Sequence, residues 1–344
     1  MPHIQKTAGA LAALALLSLG HGAAAQGKKF VVGVSNTLIG NGWREEMICS
    51  IKAQAKASGV VSKVILANRN GGPPEQISDL RNLISAGANV IIVDPSSSDA
   101  LNPVIKQAAA RGIVVVAVDQ GVTAPQAYVL SNDQVAYGRL GATWLFEQLH
   151  GQGNVVEMRG IDGVPADADR HAGFTDALKK YPNIKVVATT FTGWALNTTA
   201  KQIHDLLASG KQIDGVWTSG IDAVVVDGFQ TTHTKLVPVV GADNNAFIGQ
   251  LIDNKSAGLT GAAVTNPAAV GGAGLAVALD VLQHKTQPHV TKLTPSVWAN
   301  TDDAGLKQLA SVHDPKLDPY YSVATTIAPY TTYSTQDMLD CKGP

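Results

Sequence analysis

Short unbroken runs of Val, Ile and Leu alternate with helical patterns along most of the chain. Phe30-Val31-Val32-Gly33-Val34 reads as a strand and Gly42 to Ser58 as a helix. Val64-Ile65-Leu66 precedes a helix that starts at Pro73-Pro74-Glu75 and ends at Gly87. Val90-Ile91-Ile92-Val93, a helix from Asp99 to Arg111, and Ile113 to Val118 continue the series. Continuous rather than alternating apolar runs indicate parallel strands covered on both faces. Strands separated by helices build right-handed crossover units.

The pattern then restarts. Asn154 to Met158 opens a second set, followed by a helix from Asp169 to Lys180, the strand Ile184 to Ala188 and a helix from Leu196 to Ser209. Gly215-Val216-Trp217, a helix from Asp222 to Gln230, and Val237 to Gly241 complete it. The architecture repeats although the residues do not. The expected fold is α/β, with two doubly wound parallel-sheet lobes side by side. No Pro/Ser-rich linker parts them, so extended segments should form the hinge, which suits lobe closure. Ser296 to Pro344 is less periodic, with a helix expected from Asp303 to Leu309 and a tail over the surface.

A length of 344 residues exceeds what one core usually fills, which supports two lobes. The net charge of −1 argues against nucleic acid or an anionic membrane as partner. Lys6, the apolar run Ala10 to Leu19 and Ala23-Ala24-Ala25 fit an export signal cut before Gln26, so residues 1–25 are expected to be removed. The two cysteines, Cys49 and Cys341, then read as a disulfide tying the tail to the first helix, with two buried thiols as the alternative.

Catalytic and nucleotide motifs fail inspection. Gly22 to Lys28 spells GxxxxGK, but Lys29 follows where Ser or Thr is required, and the segment precedes a strand instead of following one. Gly151-Gln152-Gly153 fails as a dinucleotide motif for the same reason. The histidines lack ligand spacing. No catalytic residue, metal site or cofactor is expected.

Ligands of open parallel sheets bind beyond the carboxyl ends of the strands. Those places hold Ser35, Asn36, Asn41, Trp43 and Arg44 after the first strand, then Asp119 with Gln120, then Asn132. In the second half they hold Arg170, Trp194, Trp217 with Asp222, Asp243 with Asn244, and Thr265 with Asn266. Asp94 and Asp133 read as turn or cap residues. Asp119 and Asp243 end strongly apolar strands, where a charge is costly without a partner. Arg170 is expected to open a helix, where its charge opposes the dipole. Carboxylates accept from neighbouring hydroxyls, Arg and Asn donate, and indoles cover the apolar face of a sugar ring.

Taken together, Gly33 to Trp43-Arg44, Asp94-Pro95-Ser96-Ser97-Ser98-Asp99-Ala100, Val118-Asp119, Ser131-Asn132-Asp133, Arg170 with Gly173-Phe174, and Val240-Gly241-Ala242-Asp243 resemble periplasmic sugar-binding proteins of ABC importers, of the ribose- and galactofuranose-binding type. The resemblance spans residues 28 to 285. It implies a type I periplasmic binding protein with three crossovers. The first lobe would comprise 28–132 plus 266–297, and the second 133–265 plus 298–325. The tail, 326–344, would pack on the first lobe. It also implies that Asp119, Asn132, Arg170, Trp194, Asp243 and Thr265 line the cleft; Trp43-Arg44 resembles the pair in galactofuranose binders. Gln120 stands where ribose binders carry Arg, and Ser219-Gly220-Ile221 replaces the family's polar residue, so ligand identity does not carry over.

The expected function is that of a monomeric, periplasmic solute-binding component that closes on a monosaccharide, with pentose favoured, and delivers it to a membrane permease. A sugar sensor for a chemotaxis or kinase receptor and an exported sugar-modifying enzyme stay open as alternatives. A transcriptional regulator would need a helix-turn-helix where the export signal stands.

Overall fold

The structure, a computed structural model, describes residues 1–2 and 29–344. The export-signal reading and the GxxxxGK segment fall on 3–28 almost entirely and lie outside the described residues.

The first half runs β1 (Phe30–Asn36), α1 (Gly42–Ser58), β2 (Val61–Asn68), α2 (Pro73–Ser85), β3 (Val90–Val93), α3 (Asn102–Ala110), β4 (Val114–Asp119) and β5 (Tyr128–Asn132). The second half runs α4 (Gln134–Gln148), β6 (Gln152–Arg159), α5 (Pro165–Leu178), β7 (Asn183–Phe191), α6 (Leu196–Ala208), β8 (Gly215–Trp217), α7 (Asp222–Thr231), β9 (Val239–Ala242), α8 (Asn245–Asp253) and β10 (Gly261–Val264). The return comprises α9 (Val270–Leu282), β11 (Val290–Leu293), β12 (Val297–Ala299), α10 (Asp303–Val312) and α11 (Thr335–Asp340).

Two six-stranded sheets result, ordered β11-β5-β4-β3-β1-β2 and β12-β10-β9-β8-β6-β7. Every pairing in them is parallel except β10 with β12. The unbroken Val/Ile runs have the two-sided burial expected of them. Val90 and Ile92 enter the core under α1 and α9, while Ile91 and Val93 enter the core under α2 and α3. The second sheet is divided likewise, with Val216 facing α6, α7 and α8 and Trp217 facing α4 and α5. No helix among the described residues is long and apolar enough to cross a membrane.

Two helix starts differ from expectation. Pro165, with its preset φ, begins α5 four residues before Asp169, so Arg170 sits in the second turn and does not open the helix. Pro103 likewise places the start of α3 at Asn102, after turns over 99–101.

The chain passes between the sheets at Asn132–Asp133, after Thr265, and between Leu293 and Val297, where β11 gives way to β12. These passages are bonded to one another. Asn132 Nδ2 donates to the Thr265 carbonyl at 2.9 Å, Ser296 N–H to Thr265 Oγ1 at 2.9 Å, and Thr265 N–H back to the Ser296 carbonyl at 2.9 Å. The tail returns to α1, where Cys341 and Cys49 form a disulfide with Cα atoms 4.5 Å apart.

Candidate functional site

The ends of β1 and β4 and the segments after them face those of β7, β8 and β9 across a cavity. Its lining includes Asn41, Trp43, Arg44 and Asp119 from one side, and Arg170, Trp194, Ser219, Asp243 and Asn244 from the other. Asn266 and Tyr320 complete it.

The first wall begins with a helix cap. Asn41 is extended, and its Oδ1 accepts the Arg44 N–H at 3.1 Å, so the first turn of α1 presents Trp43 and Arg44 to the cavity. Trp43 Nε1 donates to the Asn266 carbonyl at 2.6 Å. The buried Arg44 forms an ion pair with Asp94 and donates to Asn36 Oδ1 at 3.3 Å. The second Asp94 oxygen accepts from Gln120 Nε2 at 2.7 Å. Asp94 is therefore the buried counter-ion of Arg44, not a turn residue. Asp133 does cap α4, accepting the Ala136 N–H at 3.0 Å.

Asp119 sits in the left-handed region at φ 63°, and the Gln120 N–H turns back to the Val118 carbonyl at 2.7 Å. A non-glycine residue held there stores local strain, a recurrent feature of binding sites. Its Oδ1 accepts from Gln134 Nε2 at 2.8 Å, and Gln134 Oε1 accepts from Arg170 Nε at 2.8 Å. Burial pushes both Asp94 and Asp119 above the ordinary aspartate range, against the pull of Arg44 and, for Asp119, of Arg170.

The second wall depends on close helix packing. Gly138 of α4 and Gly173 of α5 lie against the facing helix's backbone, where a Cβ at either would overlap a carbonyl. That contact sets the position of Arg170, whose guanidinium lies 4.4 Å over the Tyr137 ring and 5.7 Å from that of Trp194. Trp194 is itself left-handed at φ 51°, and its indole fills space left by Gly160. Asp243 is wholly buried; it accepts from the Asn266 N–H at 3.0 Å and the Ser322 hydroxyl at 2.9 Å. Burial pushes it up to about 6.

Several expected ligand residues stand elsewhere. Trp217 is a core residue, edge-on to Phe174, because it is still the last residue of β8 and follows the strand's alternation. Asp222 points away from the cavity, accepting from the Gly220 and Ala242 N–H groups at 3.0 and 2.9 Å and from Asn244 Nδ2 at 2.5 Å; burial pushes it up to about 7. Asn36 and Gln120 brace the wall behind Arg44, and Asn132 and Thr265 tie the hinge. Gln134 follows β5 but begins α4, which hides its role, while Tyr320 and Ser322 follow no named strand and give no local signal in the sequence.

The lobes touch across the cavity. Gln120 Oε1 accepts the Ala166 N–H of α5 at 2.8 Å, and Asn41 Nδ2 donates to the Trp194 carbonyl at 3.3 Å. Leu38 packs into the second lobe's core. This is a closed arrangement. The charged lining residues, Arg44 and Arg170 with Asp119 and Asp243, cancel in formal charge. Such a site suits a small neutral molecule rich in hydroxyls, with apolar faces for the two indoles.

Comparison with known proteins agrees with this geometry. The chain is 28% identical over 271 residues to a xylitol-binding protein of Mycolicibacterium smegmatis, covering 77% of this chain and 76% of that one. It is 24% identical over 262 residues to a ribose import binding protein of Bacillus subtilis, covering 75% and 83%. Among solved structures, an ABC transporter solute binding protein from Thermobispora bispora superposes with a TM-score of 0.77 at 28% identity, covering 91% and 94%. The family model described as a periplasmic binding protein domain matches residues 32–286, and the chain belongs to that family.

Proposed function

We propose that this protein is the solute-binding component of an ABC sugar importer, that it works in the periplasm, and that it closes on a monosaccharide or related polyol. The observation that carries this is the charge-balanced cavity, in which Asp119 and Asp243 approach from opposite lobes beside Arg44, Arg170 and two indoles. Sugar bridging both walls gains contacts that an open form lacks, so binding shifts the population toward closure. The closed form is then what a membrane permease engages. The binding roles of Asn41, Trp43, Arg44, Asp119, Arg170, Trp194 and Asp243 belong to this proposal. Relatives named for xylitol and ribose binding favour a five-carbon ligand.

A melting-temperature screen against pentoses, hexoses and pentitols tests it. One stereochemical series should raise the midpoint by several degrees, because a ligand bound only by the folded state stabilises it. Isothermal titration should then give one site per chain. A flat response across the panel would sink the sugar reading and leave the fold intact.

A further inference from the structure

The segment after α10 does more than cover the surface. Residues 314–323 are fastened to the second lobe at the start of α8. Asn245 Nδ2 donates to the Asp314 and Leu317 carbonyls at 2.7 and 3.1 Å, Asn245 N–H to the Tyr321 carbonyl at 2.9 Å, and Val323 N–H to the Asp243 carbonyl at 3.0 Å. Residues 332–344 are fastened to the first lobe. Thr332 and Gln54 exchange bonds at 3.0 and 3.1 Å, Lys56 pairs with Asp337 at 2.9 Å, and Val64 N–H reaches the Pro344 carbonyl at 2.9 Å. Cys341 closes the path covalently onto Cys49 of α1. The chain therefore crosses between lobes a fourth time, near residues 324–331.

That crossing touches the binding cavity. Ser322 stands at a three-way junction: its hydroxyl donates to Asp243 of the second lobe, and its N–H donates to Glu46 of the first-lobe helix α1 at 2.7 Å. Glu46 and Asp243 are wholly buried and Ser322 is nearly so. The other Glu46 oxygen has no partner among the described residues, so the Ser322 N–H is the bond that holds this carboxyl. Two residues earlier, Tyr320 lines the cavity and lies so close to Gly42 that a Cβ on the glycine would collide with it.

We infer that this tail is a working part of the site: a disulfide-anchored fourth connection in which Ser322 positions Asp243, Tyr320 walls the cavity, and the Cys49–Cys341 link limits how far the lobes open. A strap fixed at both ends shortens the range of open conformers, which lowers the cost of reaching the closed one. A chain lacking the link spends more time widely open and binds more weakly. Ser322 is a positioning residue; the Asp243 carboxylate, aimed by it, is the group that meets a hydroxyl.

The limit on opening is tested without any sugar. Small-angle X-ray scattering is compared for the oxidised protein, the Cys49→Ser/Cys341→Ser variant, and the wild type reduced with a phosphine, with circular dichroism as a check on folding. The radius of gyration should rise when the link is lost. Should the double variant fail to fold, the reduced wild type decides alone. An unchanged radius in the folded samples overturns the strap.

The positioning role rests on the proposed function and is read by titration with D-ribose and xylitol. Ser322→Ala should weaken binding by about tenfold, the scale of a lost hydrogen bond to a charged group. Ser322→Thr, which keeps the hydroxyl, should restore most of it, and neither should move the far-ultraviolet spectrum. Equal affinities for Ser322→Ala and wild type overturn the role of Ser322. If the wild type binds neither probe while the radius still responds to reduction, the choice of ligand falls and the strap stands.

Discussion

The two walls of the cavity are held by different means. On the first, charged side chains hold one another: Arg44 pairs with Asp94, and Gln120 and Asn36 complete the set. On the second, carboxylates rest largely on main-chain N–H groups, Asp222 on Gly220 and Ala242, and Asp243 on Asn266. Removing a member of an ion pair leaves a buried charge, whereas removing a carboxylate from amides leaves unpaired dipoles. The first loss is the larger one. The first wall is thus stiff on its own account, while the second draws its order from the hinge and the tail.

Asp94→Ala is expected to have the largest effect, costing about 3–5 kcal/mol of folding stability in urea titrations because Arg44 stays buried without its counter-ion. Asp222→Ala should cost about 1–3 kcal/mol by the same measurement. Equal losses would erase the contrast between the walls. Next, Asp119→Ala and Asp243→Ala should each reduce sugar affinity by about a hundredfold or more, with circular dichroism unchanged, since each removes charge-assisted bonds from one wall. Wild-type affinity in both would dissolve the cleft assignment.

A smaller effect separates the walls by pH. Asp243, pushed up to about 6, must be ionised to accept from two hydroxyls, so affinity should fall roughly tenfold between pH 7 and pH 5. Asp243→Asn should flatten that slope. In the ligand-free protein the sign is opposite. The folded state holds the Asp243 proton more tightly than the unfolded chain, so this group favours folding most below about pH 4 and loses that contribution as pH rises through about 6. Trp217→Phe is the smallest change. Its Nε1 has no partner among the described residues and its ring lies in the core, so affinity should stay within about twofold while stability drops by about 1 kcal/mol.

The architecture was legible because two-sided burial writes itself as unbroken apolar runs, as at Val90 to Val93. Asp119 and Asp243 were legible because a charge closing such a run needs a reason. Trp217 follows an apolar run in sequence, yet it is the last residue of β8, so the period-two alternation turns its ring into the core rather than the cavity. Asn132 and Thr265 are polar residues at strand ends, yet the segments they join become neighbours only in three dimensions. Asp94 resembled a turn residue until Arg44, fifty positions earlier in the chain, lay beside it. Ser322 and Tyr320 belong to a stretch without periodicity, where nothing in the local order announces a contact across the molecule.

The left-handed backbone at Asp119 and Trp194 has a consequence for retuning what the pocket accepts. Asn and Gly tolerate that conformation, and β-branched residues resist it. A saturation library at these two positions would therefore be filtered twice, by backbone shape and by fit to the guest. Variation at Asn41 and Asn244, whose φ angles are ordinary, leaves the first filter out. Changes of taste in this scaffold should come most easily from those positions, with Asp119 and Trp194 kept as fixed points.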